Sequence, residues 1–232
     1  MLVLAVSDVV DEGLSSNVAP VRGAELVLAC GDLPFDYLAY LMDALDVPLV
    51  FVPGNHDPDL SGYANSRNGL VLRAGMPTAA PWPPGATNAD ARVVDVMGLR
   101  IAGLGGSLRY SDGPNQYSER QFAHRARLLR ARAWWCMRDG VRPDVLITHA
   151  PPRGVGDADD AAHRGVQAMH GLVAALTPPL VLHGHVHPYG PLPRPLRLGS
   201  ASVRNVVGRH LLDIPARRGY TDERAANRLS ES

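Results

Sequence analysis

The stretch LVFVPGNHD, residues 49–57, decides the fold. Five apolar residues, Pro48 to Val52, stop abruptly at Pro53-Gly54, and the next three positions carry Asn55, His56 and Asp57. A short apolar run that ends in glycine and polar residues reads as a buried strand running out into a crevice. Four other runs end in the same way. Leu2 to Val6 stops at Ser7-Asp8, and Glu25 to Cys30 stops at Gly31-Asp32. Val145 to Thr148 stops at His149, and Leu180 to Leu182 stops at His183-Gly184-His185.

Helical spacing fills the gaps between these runs. Phe35 to Leu45 puts Leu38, Leu41, Met42 and Leu45 on one side. Glu119 to Met137 is a long segment rich in Arg and Ala, with Ser118 and Gln121 placed as a capping box. Val166 to Leu176 is the third helix. Val93 to Leu104 and Leu196 to Ile214 read as strand hairpins turning at Gly98-Leu99 and Val207-Gly208. Pro77 to Gly85 and Gly105 to Tyr117 read as loops, and the polar residues 216–232 as a fraying tail.

Composition narrows the function classes. With 232 residues and 46% hydrophobic content, the chain can bury a substantial α/β core. Lys plus Arg and Asp plus Glu both number 23, so the whole molecule exerts no long-range pull on nucleic acid or anionic lipid. A local basic patch is left open, and Arg125, Arg127, Arg130 and Arg132 on the long helix are its natural source. The first residues are apolar only briefly and lack a basic flank, so they read as a strand rather than a leader or a membrane span. Cys30 and Cys136 read as reduced thiols. Together these features place the protein in the cytoplasm, away from membranes, with room for a homo-oligomer.

In an α/β sheet, ligands bind beyond the carboxyl ends of the strands. Here five such ends bring Asp8, Asp32, Asn55 with His56, His149, and His185 with His187. One histidine alone would be a core or surface residue; five coincident strand ends are not explained that way. Oxygen and imidazole donors without thiolate suit manganese, zinc or iron. Two such ions about 4 Å apart can clamp both oxygens of an in-line phosphoryl displacement.

In this order the motifs resemble those of the calcineurin-like metallophosphoesterases: D-x-H, G-D, G-N-H-D/E, H, and G-H-x-H. The matching residues are Asp8, Gly31-Asp32, Gly54-Asn55-His56-Asp57, His149 and Gly184-His185-Val186-His187. The resemblance implies an α/β sandwich of α/β/β/α layering, two packed mixed sheets flanked by helices, over residues 1–215. It implies metal-dependent hydrolysis of a phosphoester, with a diester ahead of a monoester or a nucleic acid. Asp32 would bridge two divalent ions. Asn55, His149 and His185 would complete one site, and Asp8 and His187 the other. His56 would act at the leaving oxygen, with Asp57 orienting it. The departure is Val10, where the family has a ligand histidine. Three outcomes stay open there: solvent filling the gap, Asp11 reaching in, or a single ion at the complete site. A non-catalytic metal-binding or scaffold module is the alternative from another class, and Val10 is its only support. Arg109, Asn115 and Tyr189 are the candidates for substrate contact. His170 reads as a helix surface residue and His183 as packed within its strand.

Overall fold

Both faces of the short strands are buried, which is why their sequences are continuously apolar rather than alternating. The computed structural model describes residues 1–65, 71–188 and 194–217. In chain order the elements of its first half are β1 (Leu2–Ser7), α1 (Glu12–Ser16), β2 (Leu26–Ala29), α2 (Phe35–Leu45), β3 (Leu49–Phe51), β4 (Tyr63–Asn65), β5 (Val71–Arg73), β6 (Met76–Pro77), β7 (Thr87–Asn88), β8 (Arg92–Val96) and β9 (Leu99–Leu104). They continue with β10 (Ser107–Leu108), β11 (Gln116–Tyr117), α3 (Glu119–Cys136), β12 (Val145–Thr148), α4 (Ala168–Leu176), β13 (Leu180–His183), β14 (Leu196–Leu198), β15 (Ala201–Asn205) and β16 (Gly208–Asp213).

Two large mixed sheets form the centre. One has the order β16-β1-β2-β3-β7, the other β14-β15-β13-β12-β9-β8. Alternate residues of each strand point to opposite faces. Val3, Ala5, Leu26, Leu28, Val50 and Val52 meet Leu99, Ile101, Val145, Ile147 and Leu182 between the sheets. The intervening residues Leu4, Val6, Val27 and Phe51 face outward onto Leu14, Leu38 and Leu41 of α1 and α2. On the far side, Ala102, Leu146, Val181 and Val203 pack on Phe122 and Leu129 of α3 and Leu172 of α4. The layers are therefore α/β/β/α, as expected from the motifs.

The parallel pairs β1–β2, β2–β3, β9–β12 and β12–β13 run in step, so their carboxyl ends open on one edge of the sandwich. One expectation is corrected. The segment Leu196 to Ile214 is not a hairpin turning at Val207-Gly208. β14 and β15 do pair antiparallel, but β16 leaves that sheet and pairs with β1 in the other. The buried Val206 and Val207 carry the chain across. The expected loop from Gly105 to Tyr117 contains the short parallel pair β10–β11, and β4–β5–β6 form a small antiparallel sheet.

Candidate metal centre

Sharp reversals aim the site residues. Asp8, Asp32 and His185 each adopt positive φ, at 61°, 57° and 68°. This region is unfavourable for residues with a Cβ, and such strain collects where side chains must be aimed. Each of the three follows a strand and turns its side chain back over the open edge. Gly54 and Gly184 allow the loops to close: a Cβ at Gly54 would collide with the Asp32 carboxylate, and one at Gly184 with Ser7 Oγ and the Asp8 carboxylate.

Asp32, His149 and His185 converge, with one potential ligand atom from each lying within 4.8 Å of the others. His149 is fully buried. Its Nδ1 lies 2.8 Å from the Cys30 carbonyl oxygen and so carries a proton. Its Nε2 therefore turns a lone pair inward, 2.9 Å from Asn55 Oδ1 and 3.2 Å from Asp32 Oδ2. Three acceptors facing one another need a cation between them, either a proton or a metal ion. His185 is held in the same way, with Nε2 at 2.7 Å from the Ala162 carbonyl and Nδ1 left as the free donor atom. Carbonyl-oriented imidazoles of this kind are characteristic of metal ligands. One carboxylate, one amide oxygen and two imidazoles thus fit a divalent ion of the manganese, zinc or iron type.

The titration shifts record the same convergence. Burial pulls the His149 pKa down, but the hydrogen bond and charge of Asp32 outweigh it and raise it to about 9. Burial also opposes ionisation of Asp32, yet His149 holds its carboxyl below the usual range. At His185, burial and then the His149 charge act together and lower the pKa to about 3.

The second group of expected ligands is looser. Asp8 Oδ2 accepts from Ser7 Oγ at 2.5 Å and from the His185 backbone N–H at 2.9 Å. Its Oδ1 lies 3.9 Å from Nε2 of the exposed His187. Val10 is exposed just beyond β1. Asp11 does not join the cluster. Its Oδ1 caps α1 by accepting from Leu14 N at 3.0 Å, and its Oδ2 pairs with Arg209 at 3.1 Å.

At the rim, His56 is exposed, its backbone N–H donating to Asp32 Oδ1 at 2.8 Å. Asp57 is buried beneath it, and Oδ2 accepts from the backbone N–H groups of Asp32 and Gly54, so it clamps two loops. Asn115 faces inward, where its amide donates to the carbonyls of Gly54 and Asp57, both at 3.0 Å. Arg109 is exposed and its guanidinium turns to the Gln116 carbonyl, 3.4 Å away. Tyr189 lies outside the described residues. No motif singles out Tyr110, yet its hydroxyl accepts from Asn55 Nδ2 at 3.0 Å and lies 3.5 Å from His56 Nε2. Its place beside Arg109 at a strand exit is the one signal the sequence offers for it.

An α/β/β/α sandwich carrying an Asp–His–His cluster at the ends of its parallel strands defines a metal-dependent hydrolase of the metallophosphoesterase type. Residues 1–189 match the family model described as calcineurin-like phosphoesterase. The chain belongs to that family. Among solved structures, one crystal structure shares 14% identity at a TM-score of 0.58, covering 92% of this chain and 99% of its own. TT1561 of Thermus thermophilus shares 20% identity at a TM-score of 0.55, covering 87% of both chains. These likenesses establish the fold. No curated protein sequence matches. No helix among the described residues is long and apolar enough to cross a membrane.

Proposed function

We propose that the protein hydrolyses a phosphodiester with the help of bound divalent metal. The observation that carries this reading is the inward convergence of Asp32, Asn55 and His149, with His185 beside them, while carbonyl oxygens hold the outer nitrogens of both imidazoles. Asp32, Asn55, His149 and His185 would hold one ion. Asp8, Asp32 and His187 would hold a second, with solvent in the position that Val10 leaves without a donor. Manganese, zinc and iron suit these donors. When bound, such an ion polarises a phosphoryl oxygen and lowers the pKa of water.

The chain's own residues supply the rest. His56 stands at the open rim, where its imidazole can deliver a proton to the leaving oxygen. Tyr110 lies between His56 and Asn55 and limits where the ester can sit. Among the described residues this rim offers an imidazole and a phenol, with Arg109 turned to the Gln116 carbonyl, which suits the single charge of a diester better than the two of a monoester. Residues 1–215 form the catalytic domain in this reading. The two unpaired thiols, Cys30 and Cys136, support a cytoplasmic setting.

The test is turnover of bis-p-nitrophenyl phosphate by metal-stripped protein, with Mn²⁺, Zn²⁺, Fe²⁺ or Mg²⁺ restored in turn and His56→Ala run in parallel. Metal-restored turnover that drops at least 100-fold in the variant is expected. p-Nitrophenyl phosphate as the faster substrate would reverse the diester assignment, and no turnover with any ion would end the hydrolase reading.

A further inference from the structure

The two outer helical layers of the sandwich carry opposite charge. α3 holds five arginines, Arg120, Arg125, Arg127, Arg130 and Arg132, against Glu119 alone, and α4 beside it has no charged residue. α2, in the layer behind the other sheet, carries Asp36 and Asp43 and no cation, and Asp46 follows it. A molecule of zero net charge is therefore polarised across its thickness. The structure also sorts the arginines that the sequence offers as a basic patch. Arg125 is committed to Asp90 at 2.5 Å and to the Tyr117 ring, and Arg132 to the Ala91 carbonyl at 2.5 Å. Arg120, Arg127 and Arg130 are exposed and make no ion pair among the described residues. Apolar surface lies among these cations. Leu128, Trp134 and Trp135 are exposed and recur with Arg120, His124 and Arg127 at helical spacing, on the side of α3 away from the core. This stripe runs along an 18-residue helix, about 27 Å long. The two indoles meet edge to face at 5.4 Å, with Arg138 of the following turn over Trp135 at 4.9 Å. Between α3 and α4 is a slot of about 180 Å³ lined by Ala123, Ala126, Gly171 and Leu172, with Arg127 and Arg130 also in its wall.

We propose that the α3 face docks on an anionic lipid surface, its arginines meeting headgroup phosphates while the indoles and the slot take up the first apolar depth. Arginine pairs well with phosphate, and tryptophan favours a boundary that is apolar on one side and wet on the other. Cations and large apolar side chains sharing one helix face are the pattern of interfacial binding. A nucleic acid strand could use the arginines, but its bases need free ring faces to stack on. Here the indoles and Arg138 pack on one another, and a slot lined with alanine, glycine and leucine offers a base no polar partner. A second copy presenting the same face would set arginine against arginine. The contact is peripheral, because Phe122, Ala126, Leu129 and Ala133 hold the other side of α3 on the core. It requires neither the metal centre nor turnover.

The experiment is co-sedimentation of the full chain with vesicles of phosphatidylcholine alone, and of phosphatidylcholine mixed two to one with phosphatidylserine. Binding to the mixed vesicles only is expected, with tryptophan emission moving to the blue as they are added. Arg127→Glu should weaken binding by at least about fivefold, the effect of one cation near an anionic membrane. Arg22→Glu makes the same charge change at an exposed position beside Val21 of the α1–α2 layer, and should leave binding nearly unchanged. The Trp134→Ser, Trp135→Ser pair should lose the emission shift. All these positions are exposed, and circular dichroism confirms the fold of each variant. No binding to the mixed vesicles, equal binding to the neutral ones, or equal losses in Arg127→Glu and Arg22→Glu would each overturn the proposal. Binding of a single-stranded oligonucleotide but not of vesicles would overturn it in favour of nucleic acid. Concentration-dependent assembly that Arg127→Glu removes, again without vesicle binding, would overturn it in favour of the acidic α2 face of a second copy.

Discussion

Asp57 holds together the two reversals on which the centre depends. One of its oxygens accepts from Asp32 N at 2.9 Å and from Gly54 N at 2.7 Å. Burial raises its pKa, although those two N–H groups favour the charged form. An alanine would leave both donors unpaired in a buried place, at about 1–3 kcal/mol each. Asparagine keeps one oxygen that can accept from both. Asp57→Ala is thus expected to lower the urea midpoint by the equivalent of roughly 2–4 kcal/mol and to abolish metal-restored turnover, while Asp57→Asn retains most of the stability. Equal midpoints for the wild type and the alanine variant would show that the clamp is not needed. Cys30 makes a second prediction at this scale. Burial, and then the charge of Asp8, push its thiol up and keep it protonated. Cys136 is only partly buried. Ellman titration of native protein should therefore count at most one reactive thiol, and two in denaturant; two fast thiols without denaturant would contradict the buried environment. The ligand types were legible in the sequence because each follows an apolar run. Asn115 was legible only as a polar loop residue, since its inward turn at a φ of 52° has no local sequence signature.

At the scale of the elements, α2 was readable to both ends, because its apolar spacing and its flanking Pro34 are local signals. The path of β16 was not. Its residues look like the return strand of a hairpin whichever sheet they join, and only packing against β1 distinguishes the two. The capping box of α3 was legible and is present, with Ser118 Oγ accepting from Gln121 N and Gln121 Oε1 accepting from Ser118 N. Ser118→Ala should cost about 1 kcal/mol in chemical denaturation; a change under about 0.2 kcal/mol would mean that solvent serves that end equally well. At the other end of α3, Trp134 and Trp135 are exposed by 59% and 62%, whereas Trp82 is buried between Phe51 and Tyr63. Removing both helix tryptophans as a Trp134→Ser, Trp135→Ser pair should leave a blue-shifted emission from Trp82. Emission at the wavelength of free tryptophan in the folded double variant would place Trp82 in water.

For the whole molecule, the closing of the sandwich depends on how distant segments are tied at the edge opposite the candidate metal centre. Arg100 of β9 is only 6% exposed, and its guanidinium gathers several chain segments. It donates to Asp95 at 2.9 Å, to Asp139 at 2.8 Å, and to the carbonyls of Cys136 and Val141, both at 2.9 Å. Arg217 adds pairs to Asp95 and Asp144, both at 3.2 Å, so the segment after β16 is anchored to the same knot. The Arg100 hydrogen bond holds the Asp139 carboxyl down at about 2. Burial works against ionisation of Asp95, but Arg100 again prevails and its pKa is also lowered. Both folded values lie below the unfolded value of about 3.9. The stability these carboxylates contribute is therefore fully present above about pH 5 and is lost as the pH falls through 4 towards 2. Arg100→Gln removes the main cause of both shifts, leaving the weaker contributions of Arg217 to Asp95 and of the Val141 N–H to Asp139. It also leaves two partly buried carbonyls short of a donor, a loss that does not change with pH. Urea midpoints of wild type and variant, taken on metal-stripped protein from about pH 6 to about pH 2.5, should differ most at the upper end and draw together at the lower. The histidines of the centre titrate in both proteins and cancel from the difference. A gap that stays constant down to the lowest pH would mean that Arg100 stabilises the fold through the carbonyls alone, and that the two carboxylates contribute nothing to the closing of the sandwich.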